Sequence, residues 1–109
     1  TLGPMTNQSE ADIQPLRLET FQPEIGSVFT IRFTDARFDL RLHEAKALAL
    51  HMPDIHSRPP FSLLFVCPDH RVLTQGIYTL DHDRMGRLEI FLVPVAADAD
   101  GVQYEAVFN

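Results

Sequence analysis

The chain is poor in lysine, cysteine and long apolar runs, and each scarcity excludes something. Lys46 is the single lysine. The arginines are scattered, and nine Lys plus Arg face fifteen Asp plus Glu, a formal net charge of −6. Binding to nucleic acid draws most of its affinity from cations set against phosphates, so neither nucleic acid nor an anionic membrane surface is an expected partner. Cys67 stands alone, so no intrachain disulfide can form, which fits a reducing compartment. No run approaches the ~20 apolar residues of a membrane-spanning helix. No basic start followed by an apolar stretch reads as a signal peptide, so a cytoplasmic location is expected. The five glycines are isolated, and no phosphate-cradling loop or nucleophile elbow occurs.

What remains is an ordinary globular composition, 45% hydrophobic and 22% charged. At 109 residues it suits one domain. A chain of this size buries roughly 65% of its unfolded surface without staples. Residues 1–15 read as a tag remnant and a flexible arm, with Gly3-Pro4-Met5 resembling a protease-site scar before a start at Met5. Residues 16–109 form the domain.

Its dominant signal is a period of two. Residues 19–26 suit a single helical turn, with Phe21 and Ile25 four apart and on one face. From Val28 the pattern alternates: Phe29, Ile31 and Phe33 against Thr30 and Arg32, a polar break over 34–37, then Phe38, Leu40 and Leu42. Residues 44–50 are good helix formers that follow a strand. The strand is read as continuing to about Lys46, because helix propensity is a weak prior. Pro53, Pro59 and Pro60 make 51–60 a loop. Phe61–Cys67 is apolar on both faces, as in a strand covered on each side or set in a small barrel. Ile77–His82 opens at Gly76, Asp83–Gly86 is a turn, and Leu88–Val95 is read as closing near Pro94. Asp98–Gly101 is a second turn. Val102, Tyr104, Ala106 and Phe108 share a face of the last strand. The expected fold is all-β, a small antiparallel β-barrel or sandwich of about six strands with at most one short helix.

Candidate chemistry is thin. His43, His51, His56, His70 and His82 show no close pairing. Cys67-Pro68-Asp69-His70 offers one Cys–His pair where a structural zinc site needs two. Asp98-Ala99-Asp100-Gly101 lacks the ligand spacing of a calcium loop. Cys67 ends an apolar strand on the side of Phe61, Leu63 and Phe65, as a buried inert thiol does. Asp81 and Asp83 flank His82 and read as a solvated hairpin tip. No catalytic, cofactor-binding or metal-ligating residue is assigned, and no cofactor is expected.

Four segments carry a family resemblance: Pro60-Phe61-Ser62-Leu63-Leu64-Phe65, Gln75 to His82, Gly86 to Val95, and Tyr104-Glu105-Ala106-Val107-Phe108-Asn109. With Leu18 to Phe29, they make residues 16–109 similar to an uncharacterised bacterial family of about 100 residues, a domain of unknown function. Cys67 stands where the family pattern has glycine, which argues against a shared cysteine chemistry. The resemblance implies an association with phage-tail-collar-like proteins. The function expected is therefore a non-enzymatic protein-binding or assembly-accessory module, docking a partner by strand addition at an exposed edge. A second copy of the chain is an alternative partner. A small-ligand-binding barrel is the second reading, and a hydrolase using His and carboxylates the third.

Overall fold

The structure is a computed structural model that describes residues 16–48 and 59–109. The arm expected over residues 1–15 and most of the loop over 51–60 lie outside the described residues. A short helix α1 (Leu18–Phe21) runs into a 3-10 turn over Gln22–Glu24. Six strands follow: β1 (Val28–Arg32), β2 (Arg37–Ala47), β3 (Phe61–Cys67), β4 (Gly76–His82), β5 (Gly86–Asp98) and β6 (Gly101–Phe108). They pair antiparallel throughout in the order β1-β2-β3-β6-β5-β4, with β4 returning to β1 to close a barrel.

Alternation explains the interior. Phe29, Ile31, Phe38, Leu40, Leu42, Leu63, Phe65, Leu80, Ile90, Leu92 and Tyr104 all turn inward and are buried. The axis is packed by rings and aliphatic chains, with Phe29 edge-on to Phe65 at 5.4 Å between centroids. This filling works against the reading of a ligand held inside the barrel.

The two mouths are covered differently. At one end α1 delivers Phe21, which lies within 6.4 Å of the rings of Phe29, Phe61 and Phe108. Phe61 stacks on Phe108 at 4.7 Å and 5°. At the other end residues 68–75 fold across the opening. There Leu73 N–H donates to the Tyr104 hydroxyl at 2.9 Å, and the Arg71 guanidinium lies 4.8 Å over the Phe38 ring.

Three local expectations need correction. Ile25 does not share the buried face of Phe21 but is 47% exposed, because the 3-10 turn rewinds the chain at Pro23. Phe33 falls just beyond β1 and packs edge-on to Phe38 and Tyr78 from outside. β5 does not close near Pro94 but runs to Asp98. The pairing shifts register between Pro94 and Ala96, and a bulge is where a strand tolerates a residue with no N–H to give. The helix-or-strand question over 44–50 resolves as strand through Ala47, and residues 49 and 50 lie outside the described residues.

Closure is uneven. β1 and β4 share a single ladder pair, Thr30 with Asp81, whereas β3 and β6 share seven. Side chains strengthen this seam from outside: Asp81 accepts from Arg32 Nε at 3.3 Å and from Arg87 Nε at 3.1 Å.

The exposed carboxylates set the acid limb of stability. Hydrogen bonds from Arg71 hold the Asp69 carboxyl at about 2. Arg37 and Arg87 likewise hold Asp39 and Asp81 below the usual carboxylate range. A depressed carboxyl contributes stability that is complete above its unfolded value near 4, and is lost as pH falls through its folded value. The melting temperature is therefore expected to be insensitive to these groups above about pH 5 and to fall between about pH 4 and pH 2. Melts across that range for the wild type and Arg71→Ala check this: the variant should lose part of the fall that lies below about pH 4.

Candidate functional site

Two features of the described residues could carry function: a buried polar cluster at the β1/β4 seam and a groove on the outer wall.

The cluster centres on His82. Tyr78, Leu80 and His82 share one face of β4, so alternation turns the imidazole inward, where its side chain is 1% exposed. The hairpin-tip reading of His82 is thereby corrected: Asp81 faces outward, and His82 is buried under Phe29, whose ring lies 4.3 Å away. Ser27 Oγ lies 2.8 Å from His82 Nε2, and Glu24 Oε1 lies 3.5 Å from the same nitrogen. A serine, a histidine and a carboxylate have met, and the question is whether they can work as a nucleophile, base and orienter.

The hydrogen bonds answer it. His82 Nδ1 receives the backbone N–H groups of Arg84 and Met85, both at 3.1 Å. With Nδ1 accepting, the neutral ring carries its proton on Nε2 and donates it to Ser27. Ser27 in turn donates its hydroxyl proton to the Glu24 carbonyl at 2.6 Å. A catalytic base needs a vacant lone pair toward the nucleophile; here that nitrogen is already protonated and the hydroxyl is committed elsewhere. Glu24 sits on the serine side of the ring rather than behind it. Its carboxylate is engaged by Arg84, whose hydrogen bond holds the Glu24 carboxyl below its ordinary value.

The cluster is a clasp. Glu24 and Ser27 precede β1; His82 ends β4; Arg84 lies in the β4–β5 turn. Together they tie the two strands that share one ladder pair. His82→Ala is expected to cost roughly 2–3 kcal/mol, since two turn N–H groups lose their acceptor and a ring-sized void opens. His82→Asn, whose carbonyl can still cap the turn, should cost about half as much. Chemical denaturation of both variants measures this, and an equal loss would show that the Nδ1 contacts are not what matters.

Among the described residues the other sequence candidates do not converge, and His51 and His56 lie outside those residues. Cys67 is fully buried in the barrel, and burial pushes its thiol up, away from a reactive thiolate. His70 is exposed on the loop beyond it. Asp98 accepts from the Asp100 N–H at 2.9 Å, which makes the β5–β6 turn. Among the described residues, no group of three or more His, Cys, Asp or Glu side chains is placed to hold a metal ion.

The groove lies outside, over β2, β3 and β6, and encloses about 670 Å³. Its geometry follows from register. One row of outward residues crosses five strands as Val28, Arg41, Val66, Gln103 and Ala96. The next row is Glu44, Leu64, Glu105 and Val93. Leu64 and Val66 therefore form an apolar floor in the middle of β3, half-buried, with polar and charged neighbours on both sides. The bulge between Leu42 and Glu44 swings β2 there, and both His43 and Glu44 line the rim. The opposite wall differs: Ile77 and Phe91 pair across β4 and β5 and are 70% and 48% exposed.

Among the described residues, then, the chain is a closed, side-chain-filled antiparallel barrel with a structural histidine clasp at its seam and a groove on its outer wall. The family described as a domain of unknown function (DUF6916) matches residues 16–108, and the chain belongs to that family. No curated protein and no solved structure matches the chain.

Proposed function

We propose that this domain is a non-enzymatic protein-binding module that docks a segment of its partner in the outer groove over β3. The observation that supports it is the apolar floor of Leu64 and Val66, set in a concavity of about 670 Å³ and rimmed by polar groups. An apolar centre within a polar rim is the common anatomy of a protein interface. Because the barrel is closed, β1 to β6 each have a neighbour on both sides. Docking therefore moves from the free edge expected from sequence to the outer wall. The sequence resemblance adds the finer reading, an assembly accessory for a tail-collar-like protein, and makes such a protein the first partner to test.

The test is co-purification of the tagged chain at native expression level, alongside the double variant Leu64→Thr, Val66→Thr. Threonine keeps the strand propensity and removes the apolar floor. The expected result is a partner recovered in fixed ratio with the wild type and lost with the variant, both melting alike. Equal recovery by the two chains, or nothing above background with the wild type, would overturn the proposal.

A further inference from the structure

The groove also has a charge pattern, and that pattern specifies a ligand chemistry. Resting on the protein-binding reading, the inference concerns what kind of segment the groove accepts. At one end, Asp39, Asp98 and Asp100 line it around Pro68. Two residues along β3 comes the middle row of Arg41, Val66 and Gln103. Two residues further, Glu44 and Glu105 pair with Leu64 from either side. Among the described residues, Glu44, Glu105, Asp98 and Asp100 take part in no salt bridge, and Asp39 is held by Arg37. Asp39, Glu44, Asp98 and Asp100 line the groove around one guanidinium, Arg41, and Glu105 adds a carboxylate beside Leu64 through register.

The spacing is that of an extended chain. Pro68, the residue just after β3, and Leu64 are four residues apart, about 13 Å at the rise of a strand. In an extended segment the side chains at i, i+2 and i+4 project to one side with that same spacing. We infer that the groove takes an extended partner segment of the pattern basic–x–apolar–x–basic, laid along β3. The two cations meet the acidic ends, and the apolar residue rests on Val66 and the aliphatic stem of Arg41. The chain's own amino-terminal residues do not fit this chemistry: residues 1–15 contain Glu10 and Asp12 and no lysine or arginine. A second copy at net charge −6 is a poor match on the same ground.

The probe is a synthetic peptide, Gly-Lys-Ser-Leu-Ser-Lys-Gly, titrated into the full chain and followed by backbone amide shifts. The controls carry glutamate for both lysines, or the two lysines side by side. The expected result is binding about tenfold tighter for the spaced-lysine peptide than for either control at about 0.05 M salt, weakening steeply by about 0.5 M. The shifts should centre on Val66 and Gln103. The double variant Glu44→Lys, Glu105→Lys, at one exposed and one half-buried site, should erase the preference while leaving the fold intact by amide shift dispersion. Equal affinity for all three peptides, shifts centred elsewhere, or a preference that survives the double variant would overturn the inference. The co-purification separates this failure from that of the wider reading. A partner lost from Leu64→Thr, Val66→Thr but retained by Glu44→Lys, Glu105→Lys leaves the docking site standing and removes its charge specificity. A partner retained by both chains removes the docking site itself.

Discussion

Gly101→Ala is expected to lower stability by roughly 3 kcal/mol or more, which at 4–8 °C per kcal/mol is a fall of at least about 12 °C in melting temperature. Gly101 opens β6 with φ of +130°, a backbone conformation that side chains rarely adopt. A Cβ there would overlap the Cys67 carbonyl oxygen and lie 2.8 Å from the Pro68 Cα. Both obstacles are backbone, so no side chain can swing aside. The position is also held on both flanks, because Gly101 pairs with Asp98, and Val102 with Cys67. Relief would require the β3–β6 ladder to shift, and that ladder carries the groove floor. Gly86→Ala is the control. Its φ is +76°, yet nothing lies within 4 Å of the added carbon, so only backbone strain remains, about 1 kcal/mol. Thermal melts of the two variants separate close approach from strain, and a loss at Gly101 no larger than at Gly86 would refute the argument.

Phe21→Ala is expected to cost roughly 3–5 kcal/mol, a large part of the 5–15 kcal/mol that holds a typical domain. Phe21 is fully buried and is the core side chain supplied by α1. Its ring touches Phe29, Phe61 and Phe108, which come from three different strands. Alanine would leave the mouth of the barrel unfilled, with the partly buried Leu18 as the apolar contact of this four-residue helix that remains on the core. Phe21→Leu should cost less than half as much, because most of the volume is kept. Phe33, 41% exposed outside the barrel, provides the contrast: Phe33→Ala should cost under about 1.5 kcal/mol. Denaturant midpoints at unchanged slope measure all three.

The strands were legible because they obey local rules. Alternation marks β1, β2, β4 and β6 without knowledge of their neighbours, and Gly86 takes the left-handed turn position that the hairpin requires. What local rules could not carry was set by long-range pairing. Pro94 reads as a stop until the register shift beside it is known. Ile25 reads as core until the chain rewinds at Pro23. The clasp joins Ser27 to His82 across 55 residues, and no spacing in sequence announces it. The sign that existed was the inward phase of His82 with Leu80 and Tyr78, outweighed by the polar character of its neighbours Asp81 and Asp83. The groove left one trace. Phe61–Cys67 is apolar on both faces, and in a barrel the outer of those faces needs a cover. Leu64 and Val66 are that outer face, but the carboxylates beside them arrive from β2 and β6 through register alone.

The absence of a working catalytic arrangement at His82 follows from the same physics that makes it structural. A buried imidazole that caps a turn with one nitrogen has only the other left to give, and here that one is spent on holding β1 against β4. Under the proposed protein-binding reading, two apolar outer walls compete, the groove over β3 and the Ile77–Phe91 pair across β4 and β5.

Methyl shift mapping of the isotope-labelled chain with its co-purified partner decides between those walls. The methyl signals of Leu64, Val66 and Val28 are predicted to move on binding while that of Ile77 stays. Movement of Ile77 with Leu64 and Val66 unchanged would contradict the docking site over β3.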